Sequence, residues 1–221
     1  MPSVISKIMS EISPGNNQTT PEAVHPRLKE YPKNFGDSEL QEMIDELLIR
    51  EFSGVKEIIP VSTFDDQRTG VDRWIETNNG VRFVPDYTST SDPEKMKRKV
   101  RRFLDQPLVR AHDNRGKVTD SVEVPRLVIP VDKTVWGRAY NKFLEGDGGK
   151  PTDFLPNADR ESLKIAESAV RQIDQLLESM KEKRRPEVLI NHVAGKFILV
   201  REYFMEQIAF LKKKKALGRA A

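Results

Sequence analysis

The chain has 221 residues, 37% hydrophobic and 32% charged, enough for one domain of ordinary size plus an appendage. It contains no cysteine, which excludes disulfides, thiolate zinc sites and cysteine nucleophiles and suits a reducing cytosol. The net charge of +3 and pI near 9.0 announce no nucleic-acid binder by themselves, so the distribution of charge matters more than its sum.

No apolar run approaches the roughly 20 residues needed to span a bilayer, so no membrane partner is expected. Ser, Lys and Glu are scattered through 4–12, unlike the uninterrupted apolar core of a signal peptide, and the expected location is cytoplasmic. Residues 1–36 carry five prolines and a Gly-Asn-Asn run that interrupt any periodicity, and read as a mobile N-terminal segment. His25, between prolines, reads as a solvated loop residue.

The first regular element runs from Ser38 to about Glu51. Ser38 with Gln41 forms a capping-box signature, and Leu40, Met43, Ile44, Leu47 and Leu48 form one apolar stripe. At about 100° per residue Glu51 falls on that stripe, whereas Glu39, Glu42 and Glu46 lie off it. Two readings follow for Glu51: a carboxylate that reaches a metal held by the following strands, or a frayed last turn in water.

Strands are expected over Ile58–Phe64, Val71–Glu76 and Val81–Thr88, the last two joined by the hairpin signal Asn78-Asn79-Gly80. Alternation places Asp72 with Trp74 on one face, and Val84, Asp86 and Thr88 on one face. If the hairpin turns those faces to the same side, Asp72 and Asp86 become neighbours. Close carboxylates repel unless a cation or proton lies between them, and oxygen ligands favour Mg²⁺ or Mn²⁺ over zinc, with Asp66 in the turn before Val71 as a further ligand. The plainer alternative is that Asp72 follows a turn and Asp86 ends a strand.

The order of helix, strand, Asp65-Asp66 turn, strand opening Gly70-Val71-Asp72-Arg73-Trp74-Ile75, hairpin, strand ending Asp86-Tyr87-Thr88, helix, strand, helix resembles the core of the PD-(D/E)XK nuclease superfamily. The resemblance spans about residues 38–145. It implies an α/β fold, a restriction-endonuclease-like mixed sheet flanked by helices. It also implies a divalent-metal-dependent activity on nucleic acid phosphodiesters, with Asp72 and Asp86 as catalytic metal ligands and Glu51 as the helix glutamate. The family's lysine two residues beyond the second acidic position corresponds here to Thr88, and Lys95 or Lys97 would have to supply that cation. The alternative implied by Thr88 is a nuclease fold without catalysis that binds nucleic acid or protein.

Asp92-Pro93 opens the next helix, with Met96, Val100, Phe103 and Leu104 as its apolar face. Lys95, Lys97, Arg98, Lys99, Arg101 and Arg102 form a dense positive strip, suited to a phosphate backbone or simply to solvent. His112 reads as a loop residue. A strand over Leu127–Val131 follows, expected at an edge or ending early because of Pro130, then a helix over Lys133–Leu144. Trp136 and Tyr140 in that helix read as core, with base stacking the functional alternative.

The glycines and prolines of 145–157 divide a nuclease-like core, 37–146, from a linker, 147–158, and a helical appendage, 159–217. Leu163, Ala166, Val170, Ile173, Leu177 and Met180, then Leu189, Val193, Phe197, Val200, Phe204, Ile208 and Leu211, keep steps of three and four. Such seams, joined through Pro186, predict an antiparallel hairpin able to fold back on the core, bind a protein or form a homodimer. Lys212–Lys215 suit phosphate contact or the helix dipole.

Overall fold

The computed structural model describes residues 37–62, 73–89, 93–113, 115–120, 122–145, 149–182 and 187–218. Helix α1 (Asp37–Glu51) buries the expected stripe, with Leu40, Met43, Ile44, Leu47 and Leu48 almost wholly shielded from solvent. Gly54, at φ +81°, turns the chain directly into β1 (Val55–Pro60), three residues earlier than the expected start at Ile58. β2 (Arg73–Thr77) and β3 (Arg82–Ser89) form the expected hairpin in the register Ile75 to Phe83 and Glu76 to Arg82. At its tip Gly80 takes φ +78°, and Thr77 Oγ1 both donates to the Val81 carbonyl and accepts from the Val81 N–H at 3.0 Å. Side-chain hydroxyl and glycine thus fix the turn together.

α2 (Pro93–Asp105) carries the chain from β3 to β5 (Val124–Val131), with the two-residue strand β4 (Leu108–Val109) on the way. β3 and β5 are parallel, from Val84 beside Arg126 to Ser89 beside Val131. A connection of this length containing a helix is what parallel pairing requires. The result is a five-stranded mixed sheet in the order β1-β2-β3-β5-β4.

β5 is therefore not an edge strand along its whole length, as Pro130 led one to expect. β4 pairs only with Val124 and Pro125, and among the described residues no strand lies beside the outer edge of β5 beyond Pro125. There Gln172 takes the place of one: its Oε1 accepts from the Val128 N–H at 2.7 Å, and its Nε2 donates to the Val128 carbonyl at 2.8 Å. Backbone donors alternate between the two edges of a strand, so Val128 and Pro130 address the same outer edge. The missing N–H of Pro130 removes no bond to β3.

α3 (Lys133–Leu144) starts at an Asp132 N-cap, whose side chain accepts from the Thr134 N–H at 3.0 Å, and it buries Trp136 and Ala139. The Gly/Pro-rich segment after it is partly packed. Pro151–Phe154 forms a 3-10 turn, Thr152 and Leu155 are buried, and Arg50 Nη1 donates to Thr152 Oγ1 at 3.0 Å and to Asp153 Oδ1 at 2.8 Å. α4 (Ala158–Glu182) and α5 (Glu187–Gly218) are the two C-terminal helices. They run antiparallel, with Asp174 paired to Arg201 at 2.5 Å and Glu167 to Lys212 at 3.7 Å.

One large apolar cluster joins α1, α2, α3, α4 and α5 to the sheet through Ile75, Phe83, Tyr87, Leu127 and Ile129. Phe83 sits 5.1 Å from Phe204, and Phe103 lies edge-on to Phe197 at 6.1 Å. The other sheet face holds a small cluster of Trp74, Val84, Val109 and Val124. No helix among the described residues is long and apolar enough to cross a membrane.

Gln172→Ala should lower unfolding stability in urea by about 1–3 kcal/mol, because it leaves a buried N–H and carbonyl of Val128 unpaired.

Candidate charged site at Asp86

Strand alternation turns Phe83 and Tyr87 into the main core and Val84, Asp86 and Thr88 to the other side of β3. Trp74 of β2 and Val84 pack in the same small cluster, so those two hairpin faces lie on the same side of the sheet. Asp86 is only 3% exposed. A carboxylate that deep requires compensation, and three cations provide it.

Lys99 of α2 forms an ion pair with Asp86 Oδ1 and donates to the Tyr87 carbonyl at 3.4 Å. Thr88 Oγ1 lies 3.5 Å from the same Asp86 oxygen. Arg126, fully buried on the adjacent strand β5, and Arg102, one helical turn beyond Lys99, add positive charge. Burial pushes the Asp86 carboxyl above its ordinary value, and the opposing pull of Lys99, Arg126 and Arg102 does not fully cancel it.

α2 delivers Lys99 because Met96, Val100 and Phe103 lock its inner face. Lys95 and Lys99 then lie half-buried on the flank that follows the i, i+4, i+7 progression, with Arg102 next along it and exposed, while Lys97, Arg98 and Arg101 are exposed as well. Lys97 pairs with Glu94 at 2.7 Å. Among the described residues no ion pair joins Arg98 or Arg101, so the outermost part of the basic strip keeps its charge for solvent or a ligand.

Glu51 occupies a separate cluster. It is 7% exposed, not solvated in a frayed turn; Arg50 Nε donates to its Oε1 at 3.0 Å, and Lys214 near the end of α5 pairs with Oε2. Lys214 also lies 3.5 Å from Asp159. Burial raises the Glu51 carboxyl, but Lys214 and Arg50 outweigh it and hold the group below its ordinary value. None of these partners is shared with Asp86. Lys214 and Lys212 are thus engaged within the chain, leaving less of the Lys212–Lys215 run for phosphate than its sequence suggests.

Asp65, Asp66 and Asp72 lie outside the described residues. Among the described residues no group of three or more His, Asp or Glu side chains is arranged to hold a metal ion. His192 pairs with Glu123 at 2.9 Å on the surface. The small cluster around Trp74 borders a cavity of about 330 Å³, whose wall includes His112, Glu76, Arg82 and Asp120.

Two participants escape sequence reasoning. Lys99 reads there only as one of six backbone-binding cations, yet it is the lysine at the Asp86 carboxylate. Arg126 is passed over entirely, although an arginine inside the apolar run VPRLVIPV is the signal of a buried charge needing a partner. Comparison of the chain with protein-family models, with curated proteins and with solved structures finds no match.

Removing Lys99 should expose the cost of burying Asp86. Lys99→Met should destabilise the fold by about 3–5 kcal/mol at neutral pH. Because a buried acid with a raised folded-state value holds its proton longer than the unfolded chain does, stability falls as pH rises through that value. The deficit of Lys99→Met should therefore shrink towards pH 5, and Asp86→Asn added to it should restore much of the loss, as read from urea midpoints.

Glu51 has the opposite sign. Its depressed value contributes stability above the unfolded carboxyl value that is lost as pH falls through the folded one. Glu51→Gln should cost about 1–2 kcal/mol at pH 7 and lose less stability than the parent chain between pH 5 and 3, a difference that thermal melts across that range would record.

Proposed function

We propose that the chain is a divalent-metal-dependent, nuclease-like protein acting on nucleic acid phosphodiesters, with Asp86 as its central carboxylate and Lys99 as the lysine beside it. The observation that carries this reading is the Asp86 and Lys99 contact. The position two residues beyond Asp86 that resembles the family's lysine is Thr88, and the cation absent there arrives from α2 instead. Lys99 replaces Lys95 and Lys97 in that role.

The donor chemistry fits a hard cation only in part. Asp86 offers carboxylate oxygens, and Asp72 and Asp66 would have to complete the oxygen set. Bound Mg²⁺ or Mn²⁺ would supply a more acidic water and stabilise charge on the phosphoryl group. Within the chain, Lys99 neutralises Asp86 and holds an ammonium group next to the reacting position, where it can orient a water. Thr88 keeps a hydroxyl at the same carboxylate. Lys97, Arg98 and Arg101, exposed on the outer side of α2, would lie along the phosphate backbone.

A second reading is a nuclease-like fold that has lost catalysis and serves as a nucleic-acid or protein binding module. One observation favours it: Lys99, Arg126 and Arg102 already surround Asp86 with positive charge. Positive charge of that density opposes a divalent cation.

Mn²⁺ separates the two. Under the first reading, millimolar Mn²⁺ raises the Tm of the parent chain and not of Asp86→Asn, since a ligand bound to the native state alone stabilises it by mass action. Metal-dependent cleavage of single- or double-stranded substrates should then fall at least about a hundredfold in Asp86→Asn and Lys99→Gln, the scale of losing one positioned catalytic group. Nucleic acid binding with no metal-dependent melting shift and no turnover would leave the second reading.

A further inference from the structure

We infer that the outer face of α5 is a self-complementary interface that joins two copies of this chain as an antiparallel helix pair. This inference stands apart from the nuclease reading. A surface helix ordinarily carries one apolar stripe, and α5 carries two. Val193, Phe197, Val200, Phe204 and Ile208 face the core. On the outer side Ile198, Leu199, Met205 and Leu217, with Phe210 at the flank beside Asn78 and Asn79, are 42–63% exposed, five of the ten exposed large apolar side chains among the described residues. An apolar face of this extent marks a contact surface.

The order of residues along that face identifies the occupant. Laid antiparallel on its own copy about a two-fold axis between Gln207 and Ile208, the large apolar residues of the face and its outer charged pair find complementary partners, while the two copies of Glu206 come near the axis. Ile198 then meets Leu217 of the second copy, Leu199 meets Ala216, and Met205 meets Phe210. Glu206 falls beside Ala209, and the exposed Glu202 falls beside the exposed Lys213. Large residues meet large or small ones, and the charged pair is of opposite sign. A parallel arrangement would instead set Glu202 against Glu202 and Lys213 against Lys213, which repel. The antiparallel match is isologous, as two-fold symmetry demands. Ala209 and Ala216 are small enough for the helices to approach to about 8–10 Å. Glu202 meets a lysine on a second copy, whereas a lipid surface would immerse it without a partner, which disfavours lipid as the occupant.

Sedimentation equilibrium on the full chain tests this. The parent chain should sediment at twice its 25.3 kDa mass, and Met205→Lys or Leu199→Glu should be monomeric with unchanged circular dichroism. Glu202→Lys alone and Lys213→Glu alone should each weaken the dimer at least about tenfold, since each places like charges together. The double variant should recover parental affinity, because the pair is restored with its signs exchanged. A parent chain that stays monomeric at tens of micromolar would overturn the inference and assign the face to another partner. So would a dimer indifferent to both Met205→Lys and Leu199→Glu. A double variant no tighter than the single ones would overturn the antiparallel register.

Discussion

A carboxylate 3% exposed at the middle of a sheet is the constraint from which much of this architecture follows. Asp86 cannot be held there without positive charge nearby, and Arg82, the one cation of its own strand, is engaged with Glu76 and Asp120. The cations come from α2 and β5, the two elements that flank β3 by way of the parallel crossover. The ion pair with Lys99 therefore fixes the rotation of α2 about its axis, and that rotation decides which lysines and arginines face outward. Apolar packing of Met96, Val100 and Phe103 sets the same rotation independently, so packing and charge agree. Agreement of this kind is what distinguishes a specified arrangement from one of several near-equal alternatives.

The C-terminal helices complete the core instead of standing apart from it. Phe204 against Phe83, Phe197 against Phe103 and Gln172 against Val128 bind three different elements to α4 and α5. At the far end, Lys214 meets Glu51 and Arg50 meets the 3-10 turn, so α1, the Gly/Pro-rich segment and the last turns of α5 converge on one ionic cluster. Position in the chain is a poor guide to position in the fold here.

What was legible in the sequence is what depends on neighbours a few residues away. The stripe from Leu40 to Leu48 gives α1, the Asn78-Asn79-Gly80 turn gives the hairpin, and the three-and-four spacing gives α4 and α5. Strand ends were less legible: β1 begins three residues early because Gly54 resets the backbone, and β5 begins at Val124 because Arg126 masks its apolar character. The partners of the charged groups were not legible at all. Lys99 and Asp86 are 13 residues apart, and Glu51 and Lys214 are 163 apart, and no periodicity encodes contacts made by folding. The burial of Glu51 could be read from its place on the stripe, but its ligands could not.

The side-chain amide on Val128 has a consequence for how this protein meets strands from elsewhere. A sheet edge with free donors and acceptors is a template for any extended chain, including a misfolded copy. Gln172 occupies the ladder positions at which such a strand would start on β5, and Pro130 withholds the next donor along the same edge. At the other side of the sheet, β1 turns Lys56 and Glu57 to solvent and breaks its register with an irregularity between Val55 and Glu57. Two margins of the sheet thus oppose strand addition by different means, the stretch of β5 beyond β4 by a borrowed amide and β1 by charge and a bulge.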